Sequence, residues 1–331
     1  MAGSIFISFV GIFLTVAGVT SAAAPTTVPV QRIYGTDAIG TSIAASQAEF
    51  PAAGSARAVV LARSDFFADA LAGGPLAAQV DGPLLITPPA SQSSSLDPRV
   101  LTEIQRVLPA GGTVYILGGE LAISPGVSEE LMSAGYNVMR EGGADEYATA
   151  VLIAQALGNP ATIFEATGLS FQDALSAVPA AIKEHGAILL TDGTTQAPET
   201  AAYLAANPGD TRYAIGGPLA ALGADPTATG VYGQDEYGTS AAVATTFFAG
   251  AKLFGAATGL DYPDALAGGV FMATGGRLGP VLLVDPSATP AVPQTIAAYL
   301  ATLAEGTLGY VFGGPLAVPA DVLEAIQAAV G

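Results

Sequence analysis

Cysteine is absent from all 331 residues. That excludes a disulfide framework, a thiolate nucleophile and a cysteine-ligated zinc site. Histidine occurs once, as His185 in "KEHGAILL". Zinc hydrolase centres and Ser-His-Asp triads need a well-placed histidine. This one reads as a helix-end or loop residue, and its counterparts in the two sister repeats are Asp81 and Leu278. Basic residues are scarce too: 10 Lys and Arg face 28 Asp and Glu, a net charge of −18. That argues against nucleic acid, whose phosphates demand Lys and Arg contacts. It also argues against electrostatic docking on an anionic membrane. Charged residues make up only 11% and hydrophobic ones 51%, so the chain folds. Its length asks for two or three domains.

The first residues, "MAGSIFISFVGIFLTVAGVTSAAAPTTVPV", carry an apolar run from Ile5 to Val19 followed by small residues. The run is short for a membrane span and fits the core of a secretory signal, so residues 1–24 are expected to be a signal peptide. No Lys or Arg precedes the run, which leaves an uncleaved N-terminal anchor as the alternative. Residues 25–30 read as a short extended linker.

The remainder repeats three times. Each copy opens on a glycine-x-aspartate turn: "YGTDAIGTS" at 34–42, "GGADEYATA" at 142–150 and "YGQDEYGTS" at 232–240. An alanine-rich helix and a short strand follow. Next comes an Asp-Ala-Leu helix, in "FFADALAGG" (66–74), "SFQDALSAV" (170–178) and "DYPDALAGG" (261–269). A buried strand and a further helix then lead to "YILGGELA" (115–122), "YAIGGPLA" (213–220) and "YVFGGPLA" (310–317). The Asp-Ala-Leu aspartate precedes the Gly-Gly pair by 49, 43 and 49 residues. The repeats are taken as 31–139, 140–229 and 230–331. Short continuous apolar strands alternating with helices predict parallel βαβ units with both faces covered, hence a Rossmann-like α/β class. Three related units can close around a pseudo-threefold axis.

Ligands in such sheets bind near the carboxyl ends of the strands, where all three motifs fall. Each unit should therefore gather two aspartates and a glycine turn along one edge: Asp37, Asp145 and Asp235 from the openings, Asp69, Asp173 and Asp264 from the Asp-Ala-Leu helices. Paired carboxylates can do acid–base work or bind a hard cation. Alternatively, an aspartate in the first helical turn satisfies free N–H groups. The capping-box spacing of "SFQD" and the first-turn proline of "DYPD" favour that reading. On it, Asp173→Ala removes a cap and lowers thermal stability. The Gly-Gly pairs (Gly118, Gly119; Gly216, Gly217; Gly313, Gly314) read as strand-to-helix turns needing positive φ, because no Walker lysine accompanies them. Tyr115, Tyr213 and Tyr310, just before them, are expected in the core or at an interface.

The three motif sets resemble the cell-wall-binding repeat 2 family, in three tandem copies over nearly all of 31–331. The resemblance implies Rossmann-like or toprim-like domains in a pseudo-trimer, a secreted surface protein, and non-covalent attachment to an anionic cell-wall polymer. The family's opening reads roughly Arg-Ile-x-Gly-x-Asp-Arg-Tyr-x-Thr-Ala. Its first arginine is kept as Arg32 and Arg140 but is Gly230 in the third copy; its second is replaced by Ala38, Glu146 and Glu236. Arg32, Arg140 and the six aspartates are thus the candidate ligand contacts. The substitutions weigh against direct polyanion binding and leave a neutral glycan, another protein or a bridging divalent cation as alternatives. No resident cofactor is expected. The chain reads as a non-catalytic anchoring module alone, with a hydrolase using the strand-end aspartates, or a small-molecule binder at an inter-unit cleft, as the other classes.

Overall fold

A computed structural model describes residues 28–330. The expected signal segment, 1–24, and residues 25–27 of the expected linker lie outside them. Residues 28–30 are not a free linker: Val28 is buried and Val30 opens strand β1 (Val30–Ile33). No helix among the described residues is long and apolar enough to cross a membrane.

Three four-stranded parallel sheets make up the described residues, with the helices that cover them. The first contains β2 (Ala58–Arg63), β3 (Leu84–Thr87), β4 (Thr113–Leu117) and β5 (Asn137–Glu141), in the order β3-β2-β4-β5. The second repeats that order with β6 (Thr162–Thr167), β7 (Ala187–Thr191), β8 (Thr211–Ile215) and β9 (Thr229–Val231). The third combines β10 (Leu253–Thr258), β11 (Val281–Val284) and β12 (Leu308–Phe312) with β1 from the other end of the chain. β1 pairs with β12 in register, Arg32 opposite Val311. The edge strand of each sheet therefore belongs to the sequence that opens the next repeat, and β1 closes the ring. Central strands are buried on both faces, as in Val59, Val60, Leu61 and Ala62 of β2, which is why they read as continuous apolar runs.

After its edge strand, the chain crosses to the neighbouring unit through an opening helix: α1 (Ala38–Glu49), α5 (Glu146–Ala156) or α9 (Glu236–Phe247). Each packs on the next unit's outer strand, β3, β7 or β11. The Asp-Ala-Leu helices are α2 (Ala68–Gln79), α6 (Gln172–Lys183) and α10 (Pro263–Phe271), and they pack pairwise against one another. Outer helices α3 (Pro98–Val107), α7 (Pro198–Ala206) and α11 (Gln294–Leu300) lead to the third strand of each unit. After the Gly-Gly turns come α4 (Pro125–Ser133), the one-turn α8 (Ala221–Ala224) and α12 (Ala320–Ala329), which the sequence reading did not separate.

The axis is built in layers. Phe67, Phe171 and Tyr262 form a triangle, with ring centroids 5.7, 6.0 and 5.7 Å apart. The Tyr262 hydroxyl also donates to the Ser64 carbonyl at 2.6 Å, tying the third unit to the first. The next layer holds Gly74, Val178 and Gly269, so one valine fills the space that two glycines leave. A Cβ placed on Gly74 would lie 2.6 Å from Val178 Cγ1. Gly74→Val should therefore lower stability by about 1–3 kcal/mol through overpacking. Adding Val178→Gly should restore much of the loss, by moving the knob to another unit. A thermal melt of the single and double variants checks this, and a fully additive double would contradict the layer.

Candidate functional site

In the first two sheets the chain leaves the first strand toward one side and the third toward the other, and in the third sheet β1 stands where the following edge strand would be. The carboxyl ends of β2 and β4, β6 and β8, and β10 and β12 are therefore switch points, where a crevice opens. The Asp-Ala-Leu helix starts from one strand of each pair and the Gly-Gly turn ends the other. The opening turn of the following repeat closes the crevice from the sheet edge. Three clefts result, of about 460, 400 and 340 Å³. The first gathers Asp69, Asp145 and Gly119, the second Asp173, Asp235 and Gly217, the third Asp264, Asp37 and Gly314. Each cleft is thus shared between two sequence repeats.

The two aspartates of a cleft have different jobs. The opening ones cap helices: Asp37 Oδ1 accepts from Gly40 N at 2.7 Å, Asp145 Oδ1 from Ala148 N at 2.8 Å, and Asp235 Oδ1 from Gly238 N at 2.7 Å. Thr41, Thr149 and Thr239 tighten the same turns, each accepting from the glycine N–H of Gly35, Gly143 or Gly233 at 3.1–3.2 Å. The Asp-Ala-Leu aspartates do not cap, which corrects the expectation for Asp69, Asp173 and Asp264. Helices α2, α6 and α10 begin two residues earlier than a cap at aspartate would require. Their N-cap residues are Phe67, Phe171 and Tyr262 in αR conformation, with no side-chain cap bond. The carboxylate then stands in the first turn and swings across to the glycine turn.

There the first glycine of each pair is required twice over. Gly118, Gly216 and Gly313 have φ of 87°, 114° and 107°. A Cβ would also fall 2.8 Å from Asp173 Oδ2 at Gly216 and 2.5 Å from Asp264 Oδ2 at Gly313, and would clash with Asp69 Oδ2 at Gly118. The second glycines accommodate rings: Cβ atoms on Gly217 and Gly314 would lie 3.1 Å and 3.3 Å from Cδ2 of Tyr232 and Tyr34. These two tyrosines are exposed beside their turns. The first cleft has Gly142 at that position and presents Arg63 and Phe66 instead.

Burial pushes the Asp69 carboxyl up to about 6; Glu146 adds to the shift, while Arg63 and hydrogen bonding from Thr149 oppose it. Asp173 is raised by burial and by Glu236 and Asp235, against hydrogen bonding from Thr239. Asp264 is raised by burial and Asp261, against Thr41. The clefts are acidic, apart from Arg63, which Asp65 already pairs at 2.6 Å, and Arg99, which reaches Asp37 at 2.9 Å. Among the described residues no group of three or more His, Asp or Glu is placed to hold a metal ion.

Arg32 and Arg140 brace the glycine turns from behind. Arg32 Nη1 donates to the Gly313 carbonyl at 2.7 Å and Nη2 to that of Val318 at 2.8 Å. Arg140 Nη1 donates to the Gly118 carbonyl at 2.9 Å and Nη2 to Ser128 Oγ at 2.9 Å. At Gly230 the Leu222 side chain occupies the corresponding space, 2.8 Å from where a Cβ would stand. His185 follows α6 with φ 51°, outside the clefts. One set of residues escaped the sequence reading. Leu121, Leu219 and Leu316 stand 91%, 93% and 99% exposed at the three cleft rims. Their signal was present, since Gly-Gly-x-Leu-Ala recurs in every copy.

The family described as Cell wall binding domain 2 (CWB2) matches residues 32–128, 140–221 and 231–323. The chain is 26% identical over 248 residues to the N-acetylmuramoyl-L-alanine amidase LytC of Bacillus subtilis (strain 168), covering 74% of this chain and 48% of that protein. It is 34% identical over 134 residues to the amidase enhancer of the same organism, covering 40% of this chain and 18% of that protein. Among solved structures it superposes on Cwp8 from Clostridium difficile with a TM-score of 0.80 at 23% identity, over 92% of this chain and 52% of that one. For Cwp6 from the same organism the TM-score is 0.78 at 21% identity, over 97% and 51%. The chain thus spans about half or less of the length of these proteins. Three matched segments, covering most of the described residues and carrying the repeated motifs, show that the chain belongs to the cell wall binding domain 2 family and is a cell-wall-associated surface protein.

Proposed function

We propose that the three clefts hold a neutral, hydroxyl-rich stretch of wall glycan, with no reaction following. The observation that carries this reading is a cleft built three times from the same aspartate pair and glycine turn, on an acidic molecule. Carboxylates accept hydrogen bonds from sugar hydroxyls and repel phosphates or uronates. The upstanding leucines, with Tyr34 and Tyr232 in two clefts, offer apolar surface to the faces of sugar rings. Individually weak clefts on one rigid body reinforce one another along a polymer, because each binding event raises the local concentration of the next segment. Repetition also supports binding over catalysis, since a single asymmetric site suffices for an enzyme.

Residues 28–330 should co-sediment with isolated cell-wall sacculi, and still do so at about 0.5 M salt, where charge attraction is screened within a few ångströms. Sacculi stripped of anionic polymer should pellet the protein equally well. The net charge of −18 favours a second reading, in which divalent cations bridge acidic clefts to an anionic polymer. On that reading a chelator releases the protein and stripping abolishes binding. No pelleting under any ionic condition would overturn both.

A further inference from the structure

At the opposite end of the axis from the clefts, where α2, α6 and α10 finish, lies a cavity of about 590 Å³. Its wall breaks the threefold repetition. Helices α2 and α6 run 12 residues each, whereas α10 runs 9 and gives way to a loop bearing Gly275 and Gly276 at φ 57° and 78°. That loop delivers Arg277. Its Nε donates to the Phe271 carbonyl at 2.7 Å and its guanidinium stacks 3.9 Å from the Phe271 ring centroid. Glu49, from the end of α1, enters the same wall. Neither residue has an equivalent in the other repeats: Glu49 aligns with Leu157 and Phe247, and Arg277 with Val80 and Glu184.

Each of the two keeps a polar atom out of solvent without a hydrogen-bond partner, Glu49 Oε1 and Arg277 Nη2. They form no ion pair with each other within 4.0 Å. Buried polar groups left unmatched call for an explanation, and a missing ligand is one. The other charges at this end are engaged: Lys183 with Glu184 at 2.7 Å and Asp81 with Arg57 at 3.4 Å. The remainder of the wall includes Pro75, Ala78, Ala181 and Ile182, an apolar surface. The volume falls in the range of small-molecule sites, and a few convergent polar groups on an apolar lining are their usual composition. Carbonyl ends of three helices face this region and favour a cation. Burial raises the Glu49 carboxyl to about 7, against hydrogen bonding from Thr274 and the pull of Arg277, so a cationic group beside it would restore its charge.

We propose that the axial cavity binds a small zwitterion, an α-amino acid or dipeptide, with its ammonium toward Glu49 and its carboxylate toward Arg277. The side chain would rest on the proline and alanine wall. The site is separate from the wall clefts, and its test does not depend on wall binding. Calorimetric titration of residues 28–330 with glycine, L-alanine, D-alanine and L-alanyl-L-alanine should show saturable one-to-one binding for at least one of them. Acetate and methylammonium, each carrying half of the charge pattern, should bind at least tenfold more weakly. Glu49→Gln and, separately, Arg277→Lys should each weaken the zwitterion at least tenfold while the circular dichroism spectrum and sacculus pelleting stay unchanged. Absence of binding by all four zwitterions would overturn the proposal. So would acetate binding as well as alanine, or a folded Glu49→Gln variant binding as tightly as the parent.

Discussion

The melting temperature should rise, by about 10 °C, when the pH is lowered from about 7.5 to about 5; a swing on the order of 5 kcal/mol moves a chain of this size by that much. The cause is a set of buried and half-buried carboxyls. Glu49 and Glu165 are each raised to about 7 and Asp69 to about 6, in every case chiefly by burial. Asp173 and Asp264 are raised for the same reason. In the unfolded chain these groups titrate at about 3.9–4.3. Between the two values the native state holds protons that the unfolded state has released. Stability therefore falls as pH rises through this window and is regained as pH falls. Each displaced pKa unit corresponds to about 1.4 kcal/mol, and relaxation inside the protein trims the sum. Glu165 is the deepest of the set, fully buried on β6, with Gln196 Nε2 donating to it and Asp225 beside it. Further acidification should reverse the gain below about pH 4, because Asp65, Asp97, Asp225 and Asp285 are held below their ordinary value. The profile should thus peak near pH 5. Glu165→Gln should remove its share of the slope and raise the melting temperature at neutral pH. A stability that climbs steadily from pH 5 to about 7.5 would show that these groups ionise inside the native protein without penalty.

The repeats and their α/β class were legible because Gly and Asp are needed at fixed backbone positions, and those positions recur whatever fills the core between them. The family resemblance was legible for the same reason. Ring closure by β1 was less so. Residues 30–33 look like an opening strand, and only long-range pairing with β12 shows that they complete the last sheet rather than start the first. The roles of the paired aspartates were half legible. Both kinds sit just before an alanine-rich helix, but only Asp37, Asp145 and Asp235 take the extended cap conformation. An aromatic two residues upstream displaces Asp69, Asp173 and Asp264 from that position, since the ring is drawn into the axial triangle. Arg32 and Arg140 were candidate ligand contacts through the family's motif; their carbonyl partners lie 281 residues away for Arg32 and 22 for Arg140. The axial cavity had no repeated signal to find, because a single unit forms its loop.

Gly216→Ala should cost about 3 kcal/mol, which a thermal or urea melt measures directly. A φ of 114° lies where side chains are rarely tolerated, and forcing an alanine there costs about 1–3 kcal/mol. The new methyl would also stand 2.8 Å from Asp173 Oδ2 and 3.1 Å from Ala220 Cβ. These two contributions can be separated. Asp173→Ala removes the crowding carboxylate but leaves the backbone strain, so the double variant should recover about 1 kcal/mol relative to additivity. The single Asp173→Ala variant is the sharper test. If the carboxylate capped α6, its loss would lower stability by about 1 kcal/mol. The geometry instead shows an uncapped helix start at Phe171 and a half-buried carboxylate whose charged form burial disfavours. Asp173→Ala should therefore leave the melting temperature unchanged or raise it at neutral pH, while weakening sacculus binding through the second cleft. A lower melting temperature with binding intact would return Asp173 to the role of a helix cap and take it out of the ligand cleft.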